Sequence, residues 1–411
     1  MGLLTKAADR TRLAELERLL VGDWGGPTKS GITVTPQSAM RQITVFQCCQ
    51  ALSQDTSKLP LKLFKERQDG GKDQAKKDPL YKILHRKPNG WQTSIQFRQM
   101  MHWHLLLRGN FHAYINWVGR GKDRRVFELQ PLHPDSVSVK QEDDLRLTYQ
   151  VTFQSGRTEE IKQENMFHVV GLSLDGVSGI TPIAYAKESI GLAMAAERHG
   201  AMLFGNGARP GGVLYTEKIL DKDAKEDIKK QWSEAYGGEN ALRTAVLSKV
   251  DLKFEPISMT SEDAQFLETR KFQRADIAGL FRVPAHKIGD LERATFSNIE
   301  HQSLDYVVDS LGYWLEAIEQ AIWRDLLTPW QQDEEFFAEH NVLGLLRGDH
   351  TARKEYYSAA RQWGWLSIND IRKLENMNPI ENGDDYMAPS NMVPVQDLGK
   401  LVGGKADVKK G

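Results

Sequence analysis

SEDAQFLETRKFQRADIAGLFRVPAHKIGDLERATFSNIEHQSLDYVVDSLGYWLEAIEQAIWRDLLTP, residues 261–329, carries the reading of this chain. It divides into two helices and a polar loop, AHKIGDLERATF (285–296). In the first helix, Thr260 or Ser261 can cap the start. Glu262 and Asp263 sit in the first turn, where the helix dipole favours negative charge. Ile277, Leu280 and Phe281 form an apolar patch near its end. Val283-Pro284 then forces an extended exit, because the residue before proline is driven out of the helical region.

The second helix is expected from Ser297 to Leu327. Leu304, Val307, Val308, Leu311, Trp314, Leu315, Ile318, Ile322 and Leu326 recur at steps of three and four and make one apolar stripe. Ser297 with Glu300 has the spacing of a capping box, and Pro329 cannot continue the ladder. About thirty residues at 1.5 Å each give roughly 45 Å. That length suits a strut in a large assembly as well as a long core helix. No side-chain cluster in 261–329 has a catalytic pattern.

Outside this stretch the chain alternates helix and strand. Residues 1–30 read as a peripheral amphipathic helix and a flexible GDWGGPTKSG linker. Residues 36–59 read as a helix that buries Met40, Val45, Cys48 and Leu52, and LPLKLFKE (59–66) reads as a strand. Lys65 to Lys87 has more basic than acidic residues and reads as a solvated turn region, with a functional basic patch as the alternative. A helix is expected over 94–108. A strand is expected over Asn110–Val118, where Phe111, Ala113, Ile115 and Trp117 alternate. Leu147, Tyr149, Val151 and Phe153 alternate in a second sheet region before a turn at Gln154-Ser155-Gly156. GLSLDGVSGITP (171–182) opens a helix rich in Ala and Gly that runs from Pro182 to about Phe204. Residues 213–258 form a compact insertion: a strand GVLY, a charged helix over 221–236, then strands near TAVLS and LKFEPIS. Short helices DHTARKEYYSAARQW and SINDIRKLENMN follow, and a tail rich in Gly, Lys and Pro ends the chain.

The 411 residues allow two or three domains. Lys and Arg number 54 against 55 Asp and Glu, so the net charge is −1. Bulk charge therefore does not grip nucleic acid, although a surface past which DNA slides stays open. Cys48 and Cys49 are adjacent and make neither a disulfide framework nor a zinc site. No run is long and apolar enough for a signal peptide or a membrane span.

Tests for chemistry come out negative. GNGARPGG (205–212) lacks the Lys-Ser/Thr ending of a phosphate-binding loop and follows a helix instead of a strand. Ser173 in GLSLDG superficially resembles a nucleophile elbow, but Asp175 stands where the second glycine belongs. His102 and His104 would point about 200° apart on a helix, and with His112 they read as structural or surface residues. Glu262-Asp263 and Asp384-Asp385 are explained by helix capping and solubility. No catalytic residue, cofactor or metal is expected.

The order of elements resembles the portal proteins of tailed bacteriophages, in the form found in long, flexible-tailed phages. The residues that carry the resemblance are TVFQCCQALSQDTSKLPLKLF (44–64), HRKPNGWQT (85–93), RGNFHAYI (108–115), LQPLHPDSV (129–137), GLSLDGVSGITPI (171–183) and FGNGARPGGVL (204–214). EDAQFLETRKFQRADIAGLFRVPAHKIG (262–289), ATFSNIEHQSLDY (294–306) and GWLSINDIRKLENMNPIENGD (364–384) complete the series. Each pattern is loose alone; their order across about 350 residues is specific.

The resemblance implies an α+β portal fold assembled as a ring of about twelve subunits. It implies a flexible segment 1–30, an α/β wing 31–184, stem helices 185–208 and 259–284, and an αβ clip 209–258. A tunnel loop 285–298, a long helix with wing return 299–344, a helical crown 345–390 and a mobile tail 391–411 follow. The implied function is a channel for packaging and ejection of double-stranded DNA at one capsid vertex, in the virion and, during assembly, in the host cytoplasm. The implied partners are the large terminase subunit, the major capsid or scaffold protein and a head-completion adaptor, with no membrane. Lys287, Arg293, Thr295 and Asn298, in the polar loop, are the expected DNA contacts. The competing readings are another virion structural protein, such as an adaptor or minor head protein, and a hydrolase that uses Ser173.

Overall fold

The computed structural model describes residues 26–205, 212–215, 253–256, 262–290, 305–342, 350–375 and 377–387, together with residues 222, 223, 226, 227 and 230. Two compact units divide the chain, Met1–Val342 and Leu343–Gly411.

The first unit is built on helix–sheet packing. Helices α1 (Pro36–Ala39) and α2 (Ile43–Ser57) stand where one continuous helix is expected. Gln42 separates them, because its side chain accepts a hydrogen bond from Val45 N–H and so starts a new helix. The break leaves Met40 half-buried, while Val45, Cys48 and Leu52 are buried as their spacing predicts. Strand β1 (Leu61–Glu66) follows and pairs with β2 (Lys72–Gln74) on one side and β11 (Phe336–His340) on the other, antiparallel to both.

The segment expected as a solvated turn region contains β2 and a short helix, α3 (Pro79–His85), that puts Leu80, Ile83 and Leu84 into the core. Asp78 as cap and Pro79 in the first turn are the start signal. Seven residues make only two turns, too few for a periodicity to show.

Helix α4 (Ser94–Arg108) and strand β3 (Asn110–Val118) match their predicted bounds. A capping box of Thr93 and Gln96 starts α4, and Gly109 at φ +77° ends it. β3 lies between β4 (Arg125–Leu132) and β8 (Met166–Val170). A third sheet, β5 (Val137–Gln141), β6 (Leu147–Thr152) and β7 (Thr158–Lys162), carries its own small core of Tyr149, Val151, Ile161 and Met166. The main core joins these layers: Phe111, Ala113 and Ile115 of β3 meet Phe97, Met101 and Leu105 of α4 and Ile318 and Ile322 from late in the chain.

The glycines of RGNF and GLSLDGVSGITP meet in space. Gly109 O accepts from Gly171 N–H at 2.8 Å. Asn110 Oδ1 accepts from Gly179 N–H and Asn110 Nδ2 donates to Gly179 O, both at 2.7 Å. Thr181 Oγ1 donates to Leu107 O at 2.6 Å and also caps the next helix, α5 (Pro182–Tyr185). A break at Ala186 separates α5 from α6 (Lys187–Gly205), where the sequence suggests one helix. The knot thus fixes where α6 leaves the sheet.

α6 packs on α7 (Glu262–Leu280). Between them, β9 (Gly212–Tyr215) and β10 (Lys253–Pro256) pair antiparallel. The charged helix expected over 221–236 and the strand near TAVLS fall mostly or wholly outside the described residues. Ile277 and Phe281 are buried as expected, but Leu280 is exposed. The chain turns there: Arg282 adopts φ +54° and Val283 N–H bonds back to Ala278 O.

The expected start of the second helix at Ser297 lies outside the described residues. From Asp305 the chain runs as a π-helical segment, Tyr306–Leu311, into α8 (Gly312–Asp325). A π turn holds more residues than an α turn, so it rotates the stripe. Tyr306 and Leu311 go inward and Val308 is 70% exposed, against its expected place on the buried face. α8 stops at Asp325, two residues before the expected end, because Thr328 and Gln331 form a capping box that opens another helix, α9 (Pro329–Asp333).

The second unit contains α10 (His350–Gln362) and α11 (Ile368–Leu374). Ser367 and Asp370 form the capping box of α11, and Tyr357 Oη donates to Glu375 Oε1 at 2.6 Å. Among the described residues, no helix is long and apolar enough to cross a membrane.

Candidate functional site

The polar loop that follows α7 begins on a firmly held base. Pro284 leads into a 3₁₀ turn, Ala285–Ile288, closed by Gly289 at φ +75°. Arg274, in the last two turns of α7, donates to Ile288 O from Nη2. On the opposite side, Ser310 Oγ donates to Arg282 O at 2.5 Å and ties the π segment to the turn at the end of α7.

Lys287 is the centre of this base. Its Nζ lies 3.1 Å from Asp55 Oδ2, on α2, and 4.9 Å from the centre of the Tyr306 ring, on the π segment. Lys287 is 29% exposed and Asp55 10%. Asp55 also bonds Lys58, one turn on. Burial alone would raise the Asp55 carboxyl, but the Lys58 hydrogen bond and the charge of Lys287 outweigh it and hold the group below its ordinary value. Burial, then the Asp55 charge, push the Tyr306 phenol up, so it stays neutral. Its buried hydroxyl lies near Asp55 without meeting ordinary hydrogen-bond geometry. One carboxylate, two ammonium groups and an aromatic face thus join α2, the loop base and the π segment. An open cleft of about 420 Å³ runs beside it, lined by Gly279, Arg282, Pro284, Asp305, Asp309 and Ser310.

Of the four expected DNA contacts, Lys287 is placed in this ion pair. Arg293, Thr295 and Asn298 lie outside the described residues. The sequence reading missed Asp55 and Tyr306. An acid beside the apolar face of α2 was a signal for the first; for Tyr306, the π turn that swings it inward leaves no mark in the spacing.

The other candidates for chemistry have structural roles. Ser173 Oγ lies 2.9 Å from Asp175 Oδ1 and 2.6 Å from Ser178 O, within its own loop. His102 Nδ1 pairs with Arg98 O at 2.8 Å, one turn back on α4. Among the described residues, no three His, Cys, Asp or Glu side chains are placed to hold a metal. Cys48 and Cys49 are free and buried, and burial pushes the Cys48 thiol up to about 12.

The base of the loop, the sheets of the first unit and α11 all fall within residues 43–376, which match the family model of the phage portal protein. The chain belongs to the phage portal protein family. The portal protein of Enterobacteria phage HK97 is 32% identical over 374 residues, covering 89% of this chain and 86% of its own length. A probable portal protein of Streptomyces phage phiC31 is 32% identical over 382 residues, covering 90% and 82%. Among solved structures, a chain in the neck of a native GTA particle, computed with C12 symmetry, superposes with a TM-score of 0.56. It is 20% identical and covers 84% of this chain and 94% of its own length. A portal protein is a head–tail connector of the virion, and both partners of the Asp55–Lys287 pair lie inside the matched region.

Proposed function

We propose that this portal chain assembles as a ring of about twelve copies around a channel for double-stranded DNA. The family match over residues 43–376 carries the reading, and the C12 symmetry of a neck with the same fold supports the copy number. In this reading 31–184 with the strand return of 299–344 is the wing, and 185–208 and 259–284 are the stem. The clip is 209–258, the channel loop 285–298 and the crown 345–390.

The loop sits on a base in which Lys287 is paired with Asp55, and the chain as a whole is nearly neutral. Both suit a channel that lets DNA slide, since many phosphate contacts would hold it. Arg293, Thr295 and Asn298 are the residues we assign to DNA. Lys287 enters the same assignment as the post that anchors the loop, with its charge directed to Asp55. The clip is the docking surface for the large terminase subunit and the head-completion adaptor, and the wing meets the capsid or scaffold protein. Assembly takes place in the host cytoplasm, and the chain itself catalyses nothing. The engagement of Ser173 within its own loop supports that last statement over a hydrolase.

Light scattering with negative-stain microscopy tests the ring. A closed particle of about 560 kDa, from the 46.6 kDa chain, is expected for a cyclic assembly. A compact monomer that forms no ring even beside the capsid proteins would overturn the reading.

A further inference from the structure

The basic segment 76–87 lies outside the loop proposed to line the channel. Lys76 and Lys77 precede the cap of α3, Lys82 lies within it, and Arg86 and Lys87 follow it. All five are exposed. None forms an ion pair with a described residue. The buried face of α3 carries Leu80, Ile83 and Leu84, so Lys82 and Arg86, four residues apart, share the outward side.

The acid within this segment is already engaged by other groups. Asp78 is the one acid in the segment. Its Oδ1 accepts from Leu80 N–H and its Oδ2 from Gln331 Nε2, each at 2.8 Å. His85 points inward to Leu61 O at 3.1 Å. The far end is held rigid as well. Ser94 N–H bonds Arg86 O at 2.9 Å, and the buried Asn89 donates to Leu129 O at 3.0 Å. A fixed scaffold therefore presents five exposed cations without an ion-pair partner among the described residues, on a chain of net charge −1.

We propose that the outward face of α3 is a second contact for the phosphate backbone of duplex DNA, separate from the channel loop. The seven residues of α3 span about 10 Å, against which a duplex presents about six phosphate charges. Lysine and arginine on and beside a firmly held helix give contacts of this kind without reading sequence. The inference rests on the proposal that the protein handles duplex DNA.

The test is fluorescence anisotropy of the full-length protein with a 30-base-pair duplex of random sequence at several salt concentrations. The variant replaces Lys76, Lys77, Lys82, Arg86 and Lys87 by Gln. A control variant, Arg146→Gln with Lys162→Gln, removes exposed cations from the β5–β6–β7 sheet. The five-fold variant should bind more weakly. The slope of log K against log salt should fall by about 0.9 for each phosphate no longer neutralised, roughly four in all, while the control changes little. Circular dichroism of the variant should match the parent, since all five side chains are exposed. An unchanged affinity and slope overturns the proposal. If that variant binds duplex like the parent but fails to enter capsids, the face serves an acidic protein partner and the DNA assignment is equally overturned. Packaging by Arg293→Ala tests the channel reading separately, so the two can fail independently.

Discussion

The imidazoles of His112 and His168 stack with ring centres 4.3 Å apart in the buried seam between two sheets. Asn110 Oδ1 can only accept, so His168 Nε2, at 3.1 Å, carries the proton. Its Nδ1 then accepts from Tyr149 Oη at 3.2 Å. Among the described residues, His112 has no hydrogen-bond partner on either nitrogen. Asp325, on α8, accepts from His168 N–H, and Arg324 donates to His168 O. The pair sits neutral between a tyrosine, an amide and the half-exposed Arg324–Asp325 ion pair.

This arrangement predicts acid sensitivity. Burial lowers His102 and His104 to about 4 and His112 to about 3, and takes His168 well below its ordinary value. Unfolded, each imidazole takes a proton near pH 6.5. Between that pH and the folded values the unfolded state binds more protons, so stability falls as pH falls. The slope is about 1.4 kcal/mol per pH unit for each such group. Thermal melts should be flat from pH 8 to 7 and drop steeply from 6 to 4. His112→Phe, which removes an unpartnered buried N–H, should cost little at pH 7.5 and make the drop shallower. An acid slope identical to the parent would show that His112 is not part of it.

The loop base makes a different prediction. Asp55 is held below its ordinary value, so its contribution is present above about pH 4, the unfolded carboxyl value, and is lost only as pH falls through the lower folded one. Lys287→Met should cost about 1–3 kcal/mol, less than for a fully buried pair because Lys287 is partly exposed. Asp55→Asn leaves two ammonium groups facing an amide and should cost at least as much. In the double variant the two losses should not add. Hydrogen exchange should rise at 285–290 in either single variant. Additive losses with unchanged exchange would mean that the pair does not hold the loop.

The glycine knot predicts a sharp positional contrast. At Gly109 the backbone is left-handed, and an added Cβ would lie 2.5 Å from both Ile180 C and Ile180 O. Those atoms are backbone and cannot swing aside. Gly109→Ala should therefore destabilise the first unit by several kcal/mol or prevent soluble expression. Gly90→Ala, where a Cβ meets nothing within 4 Å, should be close to neutral. Chemical denaturation of the two variants side by side makes the comparison; equal behaviour would contradict the close approach.

How much of this was legible in sequence depends on the range of the forces involved. α4 and β3 were readable to the residue because Thr93, Gln96 and Gly109 mark their ends locally and Phe111, Ala113 and Ile115 alternate. α3 was hidden because two turns carry no period, although Asp78-Pro79 announced it. The exposure of Val308 was not legible, since a π turn changes the phase that spacing assumes. The Asp55–Lys287 pair joins positions 232 apart in the chain, and nothing local at either residue encodes the meeting. The glycine-rich motifs were visible as motifs, but their mutual contact comes only from the fold.

Gly279 separates the needs of the single chain from those of the assembly. It lies one residue before the end of α7, at no left-handed angle, and an added Cβ would meet nothing within 4 Å. Glycine inside a helix is less favourable than alanine by about 0.5–1 kcal/mol, so nothing within the described chain explains it. Gly279→Ala should stabilise the isolated chain by about that amount in denaturant titration. The same variant should be examined by light scattering. If rings form normally, the glycine is a tolerated local cost. If the chain is more stable but rings fail to close, the backbone of a neighbouring copy passes close to residue 279, beside the cleft lined by Arg282 and Asp309. A loss of chain stability would instead mean that the space beside Gly279 is filled from within.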